Sequence, residues 1–309
     1  MIDAPLVTII IPIHNGILDT LECLDSLKLL EYANLRLLVV DNGSSDNSAE
    51  AISSWRQKNT MALTVITVSQ NLGFTGGCNF GIRHAQGLGT EYILLLNNDT
   101  VVTPDFLSVL VEVSENNDDV GAVGPKIFQF NTDRIIDSAG VSAITTLGQP
   151  FLRGHGLPDR GQFDEQTEVP YVTGCALLIK STVIDQIGLL DTDYVSYFED
   201  FDWGLRIIQS GYRCLYVPHA VIEHKGSQTT QFESPTYYYF HTRNRIIFAR
   251  KHVSWIPFLF AFLPYFVLYR YVRPAAKLLF HLRFQHFRTL NIGCMEGLTV
   301  RLTKPETQT

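Results

Sequence analysis

The segment LLLNNDT at 94–100 places two asparagines and an aspartate directly after an apolar run. If that run is a buried strand, Asn97, Asn98 and Asp99 project two amides and a carboxylate from its end. A carboxylate in such a place can hold a hard divalent cation, which usually keeps several waters and is completed by substrate phosphates. The same residues also suit an ordinary turn in which Asp99 or Thr100 caps the next helix, and this motif alone slightly favours the turn.

A second acidic group lies in YFEDFDWGLR at 197–206, where Glu199, Asp200 and Asp202 begin a predicted helix beside Trp203. Acidic residues are common in a first helical turn because they suit the helix dipole, so a purely structural role is the simplest explanation. Paired acids, a neighbouring tryptophan and a strand leading in go beyond that explanation. A carboxylate held in a cleft can act as a general base toward a hydroxyl, and an indole can stack on a sugar face.

Three further groups could bind a ligand, although each also fits ordinary turn or surface chemistry. Asp41 follows a strand in VVDNGSSDNS and could accept hydrogen bonds from a nucleobase or a ribose. The glycine-rich segment QNLGFTGGCNFGI leads into a helix whose N–H groups can face a ligand. Its spacing is neither GxGxxG nor GxxxxGK[ST], which excludes the dinucleotide and P-loop motifs. His224, predicted in a polar loop, becomes a metal ligand only if the fold brings it to Asp99.

The first hundred residues have the pattern of a parallel sheet that could gather these groups. Strand-like runs at 7–13, 35–40, 63–68 and 92–96 alternate with helix-like segments at 18–30, 48–57 and 77–86. Each strand run ends in polar or small residues, namely HNG, DNGSSD, NLGFTGG and NNDT. Ligands bind at the carboxyl ends of strands in open α/β sheets, so we expect these four clusters to meet in one crevice.

The second hundred residues predict further elements around the acidic helix. A strand is expected at 171–180, a helix over FEDFDWGLRIIQSG with Gly211 as its stop, and a strand at 212–217. Pro218 would then begin the loop that holds His224.

Composition and cysteine usage narrow the class of protein. The chain has 309 residues, 46% of them apolar and 18% charged, which is typical of a folded globular protein. Five cysteines occur without a CxxC pair, a pattern that suits a reducing compartment. No basic region precedes the apolar run at 7–11, which is better explained as a first strand than as a signal peptide. We therefore expect the catalytic part to stay in the cytoplasm.

The C-terminal part is basic and apolar, although the whole chain carries a net charge of −7. Residues 234–295 contain nine Lys or Arg and no acidic residue. The uncharged run at 253–269 has 17 residues, the lower end of the roughly 17–25 that span a membrane. Pro257 and Pro264 are expected to interrupt it, and 269–287 mixes basic with aromatic residues as an interfacial helix does. A buried core helix is the alternative, but one-sided charge favours monotopic attachment to an anionic membrane surface. Nucleic-acid binding is not expected, because the predicted sheet region is acidic.

Seven motifs in order resemble one family: VTIIIPIHN, VVDNGSSD, NLGFTGGCNFGI, LLLNNDT, TGCALLI, FEDFDWGLR and EHKGS. The sequence resembles family 2 glycosyltransferases over about residues 5–250, and within them the bacterial rhamnosyltransferase-like subgroup, which HTRNRIIFARKH at 241–252 also resembles. The resemblance implies an α/β, GT-A type nucleotide-sugar-binding domain at 1–250 with a mainly parallel central sheet. Its nucleotide-binding half would be 1–100 and its acceptor-binding half 101–250. A helical, membrane-associating tail would follow at 251–309.

The resemblance also implies roles for individual residues. Asp200 matches the catalytic base. Asp99 and His224 match the ligands of a Mg²⁺ or Mn²⁺ ion. The nucleotide-sugar donor would be bordered by Pro12, His14, Asn15, Asp41, Asn71, Gly76, Gly77, Asn97, Asn98 and Arg243. The acceptor side would contain Gly174, Glu199 and Trp203.

One position departs from the family pattern, because Asn97 stands where the first acid of the family's DxD motif is expected. Asn-Asn-Asp also occurs in the subgroup that the chain resembles, so activity is still expected. The implied reaction is a single displacement that inverts the anomeric centre, with Asp200 taking the acceptor proton and the cation neutralising the diphosphate. Arg243 or Arg245 could add positive charge there, and each could equally contact a phospholipid.

The implied partners are a nucleotide-diphosphate sugar, a saccharide acceptor carried on a lipid, and the cytoplasmic face of the inner membrane. Two other functions remain open at this stage. A sugar-phosphate nucleotidyltransferase usually has a basic, Gly-rich loop after its first strand, where this chain has His14-Asn15-Gly16-Ile17. A catalytically inactive nucleotide-sugar-binding or scaffolding subunit would not need both Asp99 and Asp200.

Overall fold

A computed structural model describes residues 4–226 and 233–306. Its strands β1 to β12 are Val7–Ile13, Leu35–Asp41, Leu63–Thr67, Tyr92–Leu96, Thr100–Val102, Val120–Gln129, Ile136–Ser138, Val141–Ile144, Gln149–Leu152, Thr167–Val169, Ala176–Lys180 and Arg213–His224. Its helices α1 to α9 are Ile17–Leu27, Ser48–Gln57, Gly73–Gln86, Phe106–Glu115, Ser181–Ile187, Glu199–Gln209, Pro235–His252, Trp255–Phe280 and Phe284–Thr299. Ser227 of the EHKGS motif lies outside the described residues.

One large sheet carries both halves of the fold. Its order is β10-β12-β6-β11-β4-β1-β2-β3, with β5 paired to β12 and β7 paired to β6. Strands β4, β1, β2 and β3 are parallel to one another, as the alternating strand and helix pattern predicts. Strand β11 runs antiparallel between β4 and β6 and so joins the first half to the second. Strands β8 and β9 form a separate hairpin.

Helices cover both faces of the sheet, which explains why its central strands are apolar throughout. All residues of β1 and β4 are buried. Along β1, Ile9 and Ile11 pack with α1, α2 and α4, while Ile10 packs on the opposite face with α3 and α5. This alternation has the two-residue period of a strand. Burial on both faces therefore fixes the register that brings the strand ends together.

Strand β12 differs from its prediction in a way that moves a functional residue. It does not end at Val217 but continues to His224, with a register shift against β6 between Val217 and Val221. This irregularity accommodates Pro218, which cannot donate a ladder hydrogen bond. The prediction that His224 lies in a loop is therefore wrong, because it is the last strand residue and pairs with Thr100 of β5.

The apolar C-terminal segment forms one continuous helix, α8, in contrast to the predicted interruption at Pro257 and Pro264. Turns with the wider π geometry follow each proline, at Phe258–Phe262 and Phe266–Val272. Such turns shift the hydrogen-bond pattern, so the helix can continue where a proline lacks its N–H. Among the described residues, this 26-residue helix is the one that is long and apolar enough to cross a membrane, judged by length and composition alone.

Helix α9 turns back and packs against α7 at close range. An added Cβ at Gly293 would lie 2.6 Å from the carbonyl oxygen of Tyr239, and one at Gly297 would lie 2.8 Å from that of Arg243. Small residues at these two positions let the helix backbones approach. The predicted domain boundary at 250 thus falls within a packed pair of helices, and the two-part division stays a prediction.

Four of the nine basic residues in 234–295 form hydrogen bonds or ion pairs within the protein and are not available to an external partner. Arg243, Arg245 and Arg250 donate to backbone carbonyl groups, and Lys251 pairs with Asp191 and Asp193. The other five lie on α8, on α9 or in the connection between them, and are Arg270, Arg273, Lys277, Arg283 and Arg288. The charge asymmetry is therefore partly structural.

We expect Gly81→Ala to lower the free energy of unfolding by about 1–3 kcal/mol, because the new methyl group overpacks the core. A Cβ at Gly81 would lie 2.5 Å from Cγ2 of Ile10 and 3.1 Å from Cγ2 of Val40, where α3 crosses the sheet. Gly87→Ala is the matched control at the end of α3, since its nearest contact would be an ordinary 3.5 Å. There alanine should be neutral or stabilise by up to about 1 kcal/mol. Urea unfolding measures the free energy of unfolding of both variants. Equal changes in the two variants would contradict the argument from the close approach of α3 to the sheet.

Candidate active site

A cleft of about 570 Å³ lies at the carboxyl ends of β1, β2 and β4. The predicted convergence of the strand-end clusters is what the structure shows here. Nine of the residues singled out from the sequence line the cleft: Pro12, His14, Asn71, Asn97, Asn98, Asp99, Gly174, Glu199 and Asp200. The first six come from the nucleotide-binding half, and the last three from the opposite wall.

Asn42, which sequence reasoning did not single out, connects the donor-side loops. Its Oδ1 accepts from the N–H of Leu72 at 2.9 Å, and its Nδ2 donates to the carbonyl of Gly73 at 2.9 Å and to Oδ1 of Asn71 at 3.2 Å. Its own carbonyl lies 3.1 Å from Nδ1 of His14. The loops after β1, β2 and β3 are therefore held as one wall by a single buried residue, through its side-chain amide and its backbone carbonyl.

Four residues that were predicted to border the nucleotide-sugar donor lie behind this wall and do not line the cleft. Asn15 accepts from the N–H of Ser45 at 2.8 Å, and the buried carboxylate of Asp41 accepts from the N–H of Ser44 at 2.9 Å. Gly76 and Gly77 lie in the first turns of α3, and a Cβ at Gly77 would stand 3.2 Å from Nδ2 of Asn42. These residues shape the loops next to the cleft, and direct contact with a nucleotide stays a prediction for them.

Glu199 and Asp200 begin α6 at the far wall of the cleft. Oδ2 of Asp200 accepts from the N–H of Gly174 at 3.0 Å, and its Oδ1 accepts from the N–H of Phe201 at 2.8 Å. Oε2 of Glu199 is buried and has no hydrogen-bond partner among the described residues. Two adjacent acids with such different surroundings do not lose their protons together.

Burial raises the pKa of Asp200, while the two N–H groups that it accepts from oppose that rise. Burial also raises the pKa of Glu199 well above its ordinary value, and the charge of Asp200 raises it further. The surroundings therefore favour ionisation of Asp200 before Glu199, whose protonated form is favoured by burial and by the charge of Asp200.

Asp99 lines this cleft, and His224, which lines a second cavity beside it, lies in contact with Asp99, as the metal hypothesis required. Nε2 of His224 lies 3.3 Å from Oδ1 of Asp99 and has no hydrogen-bond partner in the described ranges. Asp137 of β7 lies 2.9 Å from Nδ1 of the ring and leaves Nε2 facing Asp99. A carboxylate on the far nitrogen is the usual support of a metal-binding histidine.

The charge at this point also fits a cation. Burial by itself would lower the pKa of His224, but Cys175, Asp137 and Asp99 raise it, so the surroundings favour positive charge on or beside the ring. No group of three or more His, Cys, Asp or Glu with metal-binding geometry occurs in 4–226 and 233–306. The protein would therefore supply two ligands, and donor phosphates and waters would supply the others.

A second cavity, of about 370 Å³, lies on the other side of the acidic pair. Glu199 and Asp200 belong to the walls of both cavities. The second cavity is mainly aromatic and aliphatic, and its lining includes Ile127, Pro150, Leu152, Tyr171, Tyr197, Phe198, Phe201 and His241. Burial and the charges of Arg245 and Arg270 lower the pKa of His241 to about 3, so this imidazole is neutral.

Two site predictions are wrong. Trp203 is fully buried in the core, and its Nε1 donates to the carbonyl of Gly188 at 2.9 Å, so its ring cannot stack on an acceptor. Arg243 is buried in α7 and donates to the carbonyl of Asp193 at 2.7 Å instead of lining the donor cleft. Arg245 is likewise buried against Gly148 and Gln149, so neither guanidinium is free for a diphosphate or a phospholipid.

Sequence reasoning also missed Asp137. No local motif marks this residue, since its contact with His224 joins positions that are 87 residues apart in the chain. Asn42 did carry a signal, because it directly follows Asp41 at the end of a strand.

Two solved structures resemble this fold. Mannosyltransferase PcManGT from Pyrobaculum calidifontis, in complex with GDP-Man and Mn²⁺, matches with a TM-score of 0.59 and 18% identity over 96% of this chain and 76% of its own. GalNAc-T7 with UDP, GalNAc and Mn²⁺ matches with a TM-score of 0.67 and 17% identity over 95% of this chain and 55% of its own. The α/β GT-A fold, with a mainly parallel central sheet and a C-terminal apolar helix, is confirmed.

Three relatives by sequence span most of the chain. An uncharacterized protein y4gI of Sinorhizobium fredii is 28% identical over 74% of this chain and 25% of its own length. N-acetylglucosaminyl-diphospho-decaprenol L-rhamnosyltransferase of Mycobacterium tuberculosis is 24% identical over 75% and 80%. Poly-beta-1,6-N-acetyl-D-glucosamine synthase of Staphylococcus aureus is 26% identical over 66% and 46%. The chain thus spans a quarter of the first relative and under half of the third.

The family is settled by the chain's own residues, because the model named "Glycosyl transferase family 2" matches residues 8–188, more than half of the chain. This match includes the donor-side wall and Asp99, and it ends before Glu199 and Asp200. The protein belongs to glycosyl transferase family 2.

Proposed function

We propose that this protein transfers a sugar from a nucleotide-diphosphate donor to a hydroxyl of a saccharide acceptor, with inversion at the anomeric carbon. The observation that carries the proposal is the position of Asp200 in the wall between the two cavities. In a single displacement at the anomeric carbon, the base must reach the acceptor hydroxyl while the donor lies on the opposite side of that hydroxyl. A carboxylate shared by a polar cleft and an aromatic cavity meets that requirement.

Each residue of the site is proposed to have a separate role in the reaction. Asp200 accepts the proton of the attacking hydroxyl, and its hydrogen bonds from Gly174 and Phe201 hold the carboxylate in place. Glu199 keeps its proton and offers a neutral carboxyl group to another acceptor hydroxyl. On the donor side, Asp99 and His224 would hold a Mg²⁺ or Mn²⁺ ion, which stabilises the charge of the leaving diphosphate. Asn97, Asn98 and His14 line the space between.

The acceptor is proposed to be a saccharide carried on a lipid, and a rhamnosyl donor is the first to test. The M. tuberculosis relative is named for a rhamnosyl transfer to a diphospho-decaprenol. In this chain, exposed apolar side chains on α8 and α9 supply a surface for a membrane, among them Trp255, Phe260, Phe280, Phe284 and Met295. Only 11% of the most apolar window of α8 is buried, in contrast to a core helix. We propose attachment at the cytoplasmic face, which the five free cysteines support.

A donor screen with purified protein, Mn²⁺ or Mg²⁺ and an acceptor mixture tests the reaction through the nucleoside diphosphate released. Asp200→Asn should lower kcat by about 10²–10⁴-fold, the usual contribution of a general base. Glu199→Gln, which mimics a protonated acid, should stay within about tenfold of wild type. Donor binding without release would show that the acceptor is missing. Neither binding nor release from any donor would favour a non-catalytic scaffold.

The pH dependence follows from the same carboxylate. Asp200 works deprotonated and its pKa is raised, so kcat/KM should rise with pH along a limb above the ordinary value of about 3.9. That limb should disappear in the residual activity of Asp200→Asn. A limb that persists unchanged in this variant would assign the titration to another group.

Removing the cation should abolish turnover, because two protein ligands and the donor phosphates share it. We expect EDTA to stop nucleoside diphosphate release and added Mn²⁺ or Mg²⁺ to restore it. Asp99→Asn should raise the half-saturating metal concentration about 10–100-fold, in the range known for perturbed metal sites. Asp118→Asn, an exposed acid at the amino end of β6, is the control. Full activity of the EDTA-treated enzyme would contradict the metal assignment.

Membrane attachment predicts that the double variant Trp255→Ser/Phe260→Ser binds vesicles of anionic phospholipid at least about tenfold more weakly than wild type. Burying one such side chain contributes about 1.5–3 kcal/mol. The two residues are 69% and 76% exposed, and Leu18→Ser is a matched control because Leu18 of α1 is 79% exposed. Vesicle flotation measures the effect. Equal flotation of the double variant and the control would contradict attachment through α8.

A further inference from the structure

The six residues 193–198, here named the catalytic turn, lead into Glu199 and Asp200 in a strained conformation. Tyr197 has φ 67° and Phe198 has φ 74°, so two consecutive residues with bulky side chains adopt left-handed backbone angles. Such angles are uncommon outside glycine, and they persist only when surrounding contacts enforce them. Because the turn directly precedes the acidic pair, its conformation decides where the carboxyl group of Asp200 lies.

Five consecutive backbone carbonyls of the catalytic turn are held by two helices. On the α3 side, Thr75 donates its hydroxyl to the carbonyl of Tyr194 and its N–H to that of Val195. On the α7 side, Arg243 donates to the carbonyl of Asp193 at 2.7 Å. The carbonyls of Ser196 and Tyr197, next to the strained residues, accept from the side chain of Asn244.

Asn244 has the geometry of an anchor with a fixed orientation. It is fully buried, and its Nδ2 lies 2.7 Å from the carbonyl oxygen of Ser196 and 2.9 Å from that of Tyr197. Its Oδ1 accepts from Nη1 of Arg243 at 2.8 Å. A guanidinium can only donate, so it must face the amide oxygen. Both N–H bonds of the amide therefore point at the catalytic turn.

The restraint comes from a helix far along the chain. Ser196 and Asn244 are 48 positions apart, and α7 contributes Thr236 and Phe240, but not Asn244, to the lining of the cleft. Arg245, next to Asn244, places its guanidinium 5.3 Å from the ring centre of Phe198 and so packs on the second strained residue. The segment Arg243-Asn244-Arg245 thus contacts the turn at its beginning, middle and end.

We propose that Asn244 is a positioning residue for the transfer reaction: by holding the carbonyls of Ser196 and Tyr197 it keeps the catalytic turn strained and Asp200 in place between the two cavities. The inference rests on the proposed function in so far as Asp200 is the base. Asn244 is not among the residues that line either cavity. Loss of its two bonds lets the turn relax, and a displacement of the base by about 1 Å is sufficient to lower a rate about 10²-fold.

The test compares Asn244→Leu with Asn79→Leu. Leucine is close to asparagine in size and cannot donate. Asn79 is a matched control, because it is equally buried and its amide bonds both the N–H and the carbonyl of Leu190, ahead of the catalytic turn. Both variants should lose thermal stability to a similar extent. The effect on the turn should separate them.

Hydrogen–deuterium exchange in the absence of substrate is the first readout. Peptides covering 193–204 should exchange at least about tenfold faster in Asn244→Leu, whereas in Asn79→Leu the change should centre on Leu190. Unchanged exchange of 193–204 in Asn244→Leu would overturn the proposal. This result does not depend on knowing the donor, so it is independent of the proposed function.

Kinetics supply the second readout, with the nucleotide sugar that the wild-type enzyme turns over. We expect kcat of Asn244→Leu to fall about 10²-fold, while the dissociation constant of the donor changes less than about threefold. A purely structural role predicts that kcat falls no more than in Asn79→Leu at equal loss of stability, and that outcome would also overturn the proposal. If Asn244→Leu does not fold, Asn244→Ser, which also cannot span both carbonyls, replaces it in both measurements. A wild-type enzyme that neither binds nor turns over any donor would contradict the proposed function, and exchange would still decide whether Asn244 holds the turn.

Discussion

Two adjacent carboxyl groups lie at the boundary between a polar cleft and an aromatic cavity, and placing them there constrains the structure around them. A carboxylate removed from water is costly unless backbone or side-chain donors replace the lost hydration. Here both oxygens of Asp200 accept from backbone N–H groups, those of Gly174 and Phe201. Oε2 of Glu199 has no partner among the described residues, and burial favours the protonated form of this acid. The difference in hydrogen bonding, rather than in residue type, gives the two acids different properties.

Holding this pair requires elements from both ends of the chain. The parallel strands provide the donor wall, but the turn before Asp200 is also fastened by α7, a helix that begins after the family match has ended. Helix α7 in turn packs against α9, and Arg250 of α7 donates to the carbonyls of Gly297 and Val300. The C-terminal helices α8 and α9 and the catalytic turn therefore share one mechanical support. An event that displaces α9 at a membrane has a direct physical route to the turn.

The sequence was sufficient for those parts that follow from local periodicity. Alternating strand and helix segments predicted the parallel half, and burial on both faces explains why those runs are so strongly apolar. Trp203 shows where the reasoning failed despite an available signal. It lies four residues from both Glu199 and Ile207, and all three are buried on the same side of α6. Helical periodicity therefore assigns Trp203 to the core, and its position beside the acids had suggested a ligand contact.

Other features could not be predicted because they depend on pairings across long stretches of chain. Asp137 and His224 are 87 positions apart, and no local pattern marks their contact. Strand β12 extends to His224 because β5 and β6 offer it partners, whereas its own sequence contains a proline that suggested a loop. The basic residues of α7 were assigned to an anionic partner because composition does not show whether an arginine is satisfied internally. In the fold, backbone carbonyl groups accept the hydrogen bonds of Arg243, Arg245 and Arg250.

The asparagine at position 97 can be understood from the charges already present at the cleft. Asp99, Asp137 and Asp200 contribute negative charge, and a diphosphate donor brings more. A further carboxylate at 97 would add repulsion in a partly buried site, where charges are weakly screened. Nε2 of His224, oriented by Asp137, offers a neutral ligand in its place once the ring has lost its proton. A single carboxylate with a well-oriented histidine can therefore hold a cation and still admit the diphosphate, which is consistent with an active site rather than a degenerate one.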